Sequence, residues 1–398
     1  MRFTISSTAL SSRLLSLSRV INSKNTLPIL NCFVFDAQNG QLSITASDSE
    51  NVVCMSMNLD SLEGEGKFAV NNQNILDAVK ELPEQPLTVD VNMDEHTIYV
   101  SYQNGSYNFP VLEADEFPIP QPLSADTTTI TLSAEILLEN ITRSLFATAQ
   151  DELHPVMNGV YFDLRPDALA VVATDGHKLV RNRVYTIKSD VPAAFILPKK
   201  PATLLKGFVT KESSDVVIRF DARSAEISFG EGNLICRLID GKYPNYNSVI
   251  PENNPYQILI DRKSLIGAVR RVLPFASDSS QLIRFHIANG QLDLSAEDID
   301  FATSAKESMT CTYEGNPMNI GFKGSSILEI LGNLQSDEVN IQLADPSRAG
   351  LVVPAEQPEG EHDCPCCCRQ PPTATPRQYH KQHGTGQIRP LHLFRHAA

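Results

Sequence analysis

A chain of 398 residues is too long for one ordinary domain and about right for three. Its 42% hydrophobic and 20% charged residues are the proportions of a globular protein, and no apolar run of about 18 residues marks a membrane span. A net charge of −14 excludes a surface that grips nucleic acid all round, so any such contact needs cations gathered locally.

Met1-Arg2-Phe3-Thr4-Ile5 enters a strand pattern directly, with no charged and apolar leader, which predicts a cytoplasmic protein. Residues 8–22 place Leu10, Leu14, Leu15, Leu17, Val20 and Ile21 on a helical stripe that Ser7 or Thr8 would cap. A strand then ends in Asp48. The apolar run Phe68-Ala69-Val70 leads into a short amphipathic helix around Ile75 and Val79, and residues 97–102 alternate as a strand. The Pro-rich stretch at 117–122 closes this unit. The same landmarks return: a helix at 133–149, a strand ending in Asp175, Phe195-Ile196-Leu197-Pro198 leading into Leu204-Leu205-Lys206, and a strand at 216–220. After a second Pro-rich stretch at 243–255 they return again: a helix at 261–276, a strand ending in Asp298, and Ile320-Gly321-Phe322 leading into the run at 327–331. A period of about 125 residues is a whole domain, not a solenoid unit. The chain therefore reads as three copies, residues 1–121, 128–247 and 253–361. Each is α+β, with two helices on antiparallel sheets of six to eight short strands.

Cations concentrate on the helices. The first long helix carries Arg13 and Arg19, with Lys24 just after it and no acid from residue 7 to 24. The third long helix carries Arg262, Lys263, Arg270 and Arg271 beside Asp261, and the second short helix begins Lys199-Lys200 and adds Lys206. The second long helix is mixed, with Glu135 and Glu139 against Arg143. Taken singly these are ordinary solvated faces. Repeated in an acidic chain, they suit sequence-blind contact with phosphates. Cys32, Cys54, Cys236 and Cys311 lie in apolar patterns and read as free thiols.

Asp175 and His177 invite an acid–base reading. Two residues apart in an Asp-Gly turn is poor spacing for such a pair, and Asp48 and Asp298 recur without a histidine. No nucleophile, phosphate-loop, dinucleotide or metalloprotease pattern is present, so neither catalysis, metal nor cofactor is expected.

Thr174-Asp175-Gly176-His177-Lys178-Leu179 resembles the ATDGHRL-type segment of the bacterial sliding clamp family, the beta subunit of DNA polymerase III. Thr26-Leu27-Pro28-Ile29-Leu30, Asn158-Gly159-Val160 and the stretch at 238–246 are similar to family segments in the same order. The resemblance runs from Met1 to about Val353. It implies three clamp domains per chain, assembling into a head-to-tail dimeric ring around double-stranded DNA, with helices lining the hole. It implies a processivity factor that tethers the replicative polymerase's alpha subunit, the clamp loader and other proteins bearing a clamp-binding peptide. The family's peptide groove maps to Met157, Thr174, Gly176, His177, Lys178, Leu179, Pro244 and Val249. His154 and Ser248 stand where the family commonly has arginine. DNA contacts map to Lys24, Gln150 and Lys199, with Arg13, Arg19, Lys200, Arg270 and Arg271 as further basic candidates. Gln73 replaces a basic position. The rival readings are a three-domain scaffold without DNA contact and an Asp175/His177 hydrolase.

Residues 362–398 change character: five of the nine histidines, five basic residues and the run Cys364-Pro365-Cys366-Cys367-Cys368 fall there. The cysteines are too close for a structural zinc site. Codons for residues 364–369, read in another frame, encode an apolar Leu-rich run ended by proline or serine. The expectation is a frameshifted or disordered tail and a third domain lacking its C-terminal strand.

Overall fold

The computed structural model describes residues 1–356 except Thr26 and Glu152, and the backbone of residues 362–363 and 366–368. Its elements repeat in three sets. The first is β1 (Arg2–Ser6), α1 (Ser7–Leu17), β2 (Cys32–Gln38), β3 (Gln41–Ser47), β4 (Asn51–Asn58), β5 (Ser61–Glu63), β6 (Gly66–Asn71), α2 (Asn72–Val79), β7 (Pro86–Asn92), β8 (Thr97–Tyr102) and β9 (Gly105–Leu112). The second is β10 (Thr128–Leu132), α3 (Ala134–Leu145), β11 (Gly159–Leu164), β12 (Leu169–Thr174), β13 (Lys178–Val184), β14 (Ala193–Pro198), α4 (Lys199–Phe208), β15 (Val216–Phe220), β16 (Ser224–Phe229) and β17 (Gly232–Arg237). The third is β18 (Tyr256–Asp261), α5 (Arg262–Val272), β19 (Leu282–Ala288), β20 (Gln291–Asp298), β21 (Thr303–Thr310), β22 (Met318–Lys323), α6 (Gly324–Asn333), β23 (Glu338–Leu343), β24 (Gly350–Pro354), β25 (His362–Asp363) and β26 (Cys366–Cys368).

The long helices are shorter than their apolar stripes suggest. Ser6, the last extended residue of β1, caps α1 by accepting from the Ala9 N–H at 3.2 Å. Ser7 is buried and donates to the Pro83 carbonyl at 2.7 Å instead. The helix stops at Leu17, where the Ser16 and Ser18 hydroxyls turn back onto the Ser12 and Leu15 carbonyls. Leu15 is consequently 55% exposed, while Leu10, Leu14 and Leu17 are fully buried. Ser133 and Asp261 cap α3 and α5, and Pro274 ends the third long helix in a tight turn at Leu273–Phe275. Within each set the long and short helices pack together: α1 on α2, α3 on α4, α5 on α6.

All pairings between the strands are antiparallel. The hairpins at Asn39-Gly40 and Asn289-Gly290 hold both residues at positive φ (50° and 75°, 49° and 77°), the geometry that makes an Asn-Gly pair close two strands tightly. The domain junctions are sheet junctions. β17, the last strand of the second set, pairs with β4 of the first, Gly232 opposite Met55 and Cys236 opposite Asn51. β26 lies between β13 of the second set and β24 of the third, Cys367 opposite both Leu179 and Leu351. This corrects the expectation of a missing C-terminal strand: the backbone of residues 366–368 supplies one, because β13 and β24 each leave an edge whose N–H and C=O groups need partners. Residues 364–365 and 369–398, the rest of the expected tail, lie outside the described residues.

The cores follow these junctions. One apolar cluster runs from Phe3 through Leu137 to Leu238, spanning the first two domains. A second fills the third domain and takes in Ala147, Ala173 and Val180 of the second. Leu14→Ala should cost about 2–5 kcal/mol, as a cavity in a packed core, whereas Leu15→Ala should stay within about 0.5 kcal/mol. Urea unfolding of the two variants beside the parent protein checks the contrast.

Candidate functional site

Each copy turns from its third to its fourth strand on an aspartate. Asp48 accepts from the N–H groups of Glu50 and Asn51, Asp175 from His177 and Lys178, and Asp298 from Asp300 and Phe301. Only the middle turn contains glycine: Gly176 sits at φ +85°, where a side chain is strained. This turn borders a cavity of about 190 Å³ at the junction of the second and third domains, lined by Met157, Thr174, Gly176, His177, Lys178, Leu179, Pro244, Asn245, Tyr246, Val249 and Ala349.

All eight residues mapped as groove wall by the family resemblance therefore line one cavity. His154 and Ser248 do not. His154 is exposed with Nδ1 2.8 Å from Asp151 Oδ2, and Ser248 donates to the Asn245 carbonyl at 2.8 Å. Ala349 carries no sequence signal. It reaches the cavity because it precedes β24, which tertiary pairing alone brings to the junction.

The linker at 238–250 is pinned to the second domain by aromatics. Tyr161 and Tyr243 stack with ring centroids 4.5 Å apart, nearly parallel. The Tyr246 hydroxyl donates to the buried Asp163 at 2.8 Å, and Arg165 Nε lies 2.7 Å from the same carboxylate. Burial, reinforced by the Asp163 carboxylate, pushes the Tyr246 hydroxyl up to about 12. Beneath the cavity, the buried Lys178 ammonium lies 2.6 Å from Asp175 Oδ2 and 2.9 Å from Glu329 Oε2 of α6. Thr174 Oγ1 donates to the Lys178 carbonyl at 2.8 Å and accepts from the Gly176 N–H. The floor is thus an ion-paired link from the second domain to a helix of the third.

This geometry removes the acid–base pair. The Asp175 carboxylate serves Lys178 and two turn amides, while the His177 ring is exposed. Burial pushes the Asp175 carboxyl up, but the Lys178 ammonium and the amides outweigh it and hold the group below its ordinary 3.8.

The basic candidates divide. Lys24, Arg19, Gln150 and Arg270 are exposed, Lys199 is half-buried, and none has a side-chain ion pair among the described residues. Arg13 instead pairs with Glu231 of the second domain at 2.7 Å, and Arg271 with Glu307. Lys200, expected as a further basic DNA candidate, has its ammonium 2.5 Å from Asp48 Oδ2, within the protein. Arg262 likewise donates to the Leu331 and Ser336 carbonyls at and just beyond the end of α6. Charge counted along a helix does not reveal an acceptor supplied by another domain.

Because the Asp175 pKa is lowered on folding, its contribution is present above 3.8 and is lost as pH falls through its lower folded value. Urea titrations between pH 2 and 7 should show the parent protein losing more stability below pH 4 than Asp175→Asn does. Lys178→Met, which strands a partly buried carboxylate, should cost on the order of 3 kcal/mol at pH 7 in the same measurement.

Comparison with known proteins matches three consecutive parts of the chain to one family, the DNA polymerase III beta subunit: residues 1–121 to its N-terminal domain, 131–245 to its central domain and 247–365 to its C-terminal domain. A beta sliding clamp of Pseudomonas putida is 28% identical over 356 residues, covering 89% of this chain and 96% of that protein. One of Synechococcus elongatus is 28% identical over 346 residues, covering 85% and 91%. Among solved structures, a sliding clamp from Pseudomonas aeruginosa bound to griselimycin superposes with a TM-score of 0.87 at 26% identity, covering 93% of this chain and 98% of that one.

Proposed function

This chain belongs to the DNA polymerase III beta subunit family and is a replication processivity factor, and we propose that two copies close head to tail into a ring around duplex DNA. The observation that carries the ring is the pairing rule at the two junctions within the chain. In each, the last strand of one domain joins the fourth core strand of the preceding domain: β17 with β4, β26 with β13. The rule leaves one strand over at each end. Among the described residues β9 pairs only with β8 and, at Val111 and Leu112, with β6, while β21 pairs only with β20. Such edges invite another chain. A second copy applying the same rule joins its β9 to this β21 and its β21 to this β9, two identical contacts that close. Beside β21, Ile299 and Phe301 are 84% and 76% exposed, and Tyr107 and Phe109 stand half-buried on β9. These are the apolar groups that such a contact would cover.

Inside the ring the helices and the loops that follow them meet DNA through Lys24, Lys199, Arg270, Arg19 and Gln150. Few cations without side-chain ion pairs, aided by one neutral amide, give a grip that exchanges readily from phosphate to phosphate. Retention comes from enclosure. The cavity at the second junction takes a short peptide with apolar anchors from the polymerase's alpha subunit, the clamp loader or another partner, its walls being Met157, Leu179, Pro244 and Val249 over the fixed Lys178 floor. The protein needs no chemistry of its own: it raises the local concentration of an enzyme at its substrate.

Protein assembled on nicked circular DNA should co-purify with it through gel filtration and leave within minutes of linearisation. Equal retention before and after cutting would overturn the ring. Val249→Asp, on the exposed rim of the cavity, should weaken binding of an apolar-anchored polymerase peptide at least tenfold, about 1.4 kcal/mol, by fluorescence anisotropy. The same variant should leave retention on circular DNA unchanged.

A further inference from the structure

The junction of the first two domains is held at an ammonium. Lys200 lies in the first turn of α4, and its Nζ is 2.5 Å from Asp48 Oδ2, 2.7 Å from the Val20 carbonyl oxygen and 2.6 Å from Asn22 Oδ1. Three acceptors match the three donors of an ammonium. All three belong to the first domain and the lysine to the second. Asp48 is itself held: it is buried, its Oδ1 accepts from the N–H groups of Glu50 and Asn51, and the Asn51 side-chain amide reaches both its oxygens. The contact continues along α4, where the Arg19 guanidinium lies where a Cβ on Gly207 would fall, 2.8 Å from that position. A side chain there would displace the tip of the Arg19 side chain.

Two lysines opening a helix oppose its dipole, and α4 has no side-chain cap to offset this. The acceptors explain the second lysine; the first, Lys199, has no ion pair among the described residues. Asn22 stands two residues before Lys24, which is exposed. The Lys200 ammonium therefore ties the loop carrying Lys24 to the helix start carrying Lys199.

We propose that Lys200 is a positioning residue that does not itself bind DNA: it holds Lys24 and Lys199, from different domains, at a set separation along the phosphate track. That these two cations meet phosphates rests on the reading of the chain as a DNA-encircling clamp; the tether does not. The full-length protein should be studied as Lys200→Met, Asp48→Asn, Lys199→Met and Asn22→Ala. Amide hydrogen exchange at residues 19–21 should speed up at least tenfold in Lys200→Met and Asp48→Asn, and be unchanged in Lys199→Met. On nicked circular DNA, Lys199→Met should reduce the slope of log affinity against log salt by about 0.9, one phosphate contact, while Lys200→Met lowers affinity with the slope retained. The milder Asn22→Ala, which removes one acceptor at an exposed site, should raise exchange severalfold and serves if the stronger variants do not fold. Unchanged exchange in Lys200→Met, or in Asn22→Ala where that variant stands in, would overturn the tether. A Lys200→Met slope reduced as far as that of Lys199→Met would overturn the positioning role. Loss of every DNA effect with the exchange effects intact would instead overturn the DNA-encircling reading alone.

Discussion

The structure depends on the unfilled edge of a β-strand. Each repeated domain ends on a strand with an edge that its own sheet leaves wholly or partly unpaired, and the peptide groups there need partners. Within the chain the preceding domain supplies them, so β17 continues onto β4 and β26 onto β13. Domain junctions made this way are ladders of backbone hydrogen bonds with a defined register, which sets the angle between neighbours more firmly than a linker can. The Pro-rich stretches lie beside these ladders, and at the second junction the linker is held by the Tyr161–Tyr243 stack and the Tyr246–Asp163 hydrogen bond.

Charge completes the junctions. A strand ladder resists sliding but leaves a hinge about its own axis, and a charged contact away from that axis removes it. At the first junction Lys200 meets Asp48 and Arg13 meets Glu231; at the second, Lys178 bridges Asp175 and Glu329. In both, the second helix of the later domain meets the aspartate turn of the earlier one. Lys178 and Asp48 are largely withdrawn from water, so removing a partner is costly even where the pair as a whole contributes little net stability. An acidic chain thus places part of its scarce positive charge between its own domains, and a remainder faces solvent.

The groove is a by-product of the same joint. It forms where the linker crosses the seam, with one wall from the aspartate turn, one from the linker and one from the start of β24. Its lining includes Lys178, which is ion-paired to Glu329 of α6, so the cavity of the second junction and a helix of the third domain share one ion-paired residue.

Sequence alone determined what depends on local pattern: the threefold repeat, two helices per copy from apolar periodicity and antiparallel strands from alternation; the family resemblance added eight residues that line one cavity, Met157 and seven in the Thr174–Leu179 and Pro244–Val249 segments. These signals lie within short stretches, where backbone preference and side-chain spacing act directly. Tertiary structure decided the rest. Whether Arg13, Lys200 and Arg271 are free depends on acids brought from elsewhere in the fold, at Glu231, Asp48 and Glu307. The place of Ala349 in the groove and of residues 366–368 in the sheet depends on strand edges meeting across a junction. No local pattern encodes such contacts: an ion pair or a strand ladder is settled by which groups are left unsatisfied once the domains have packed, and that is a property of the assembled surface.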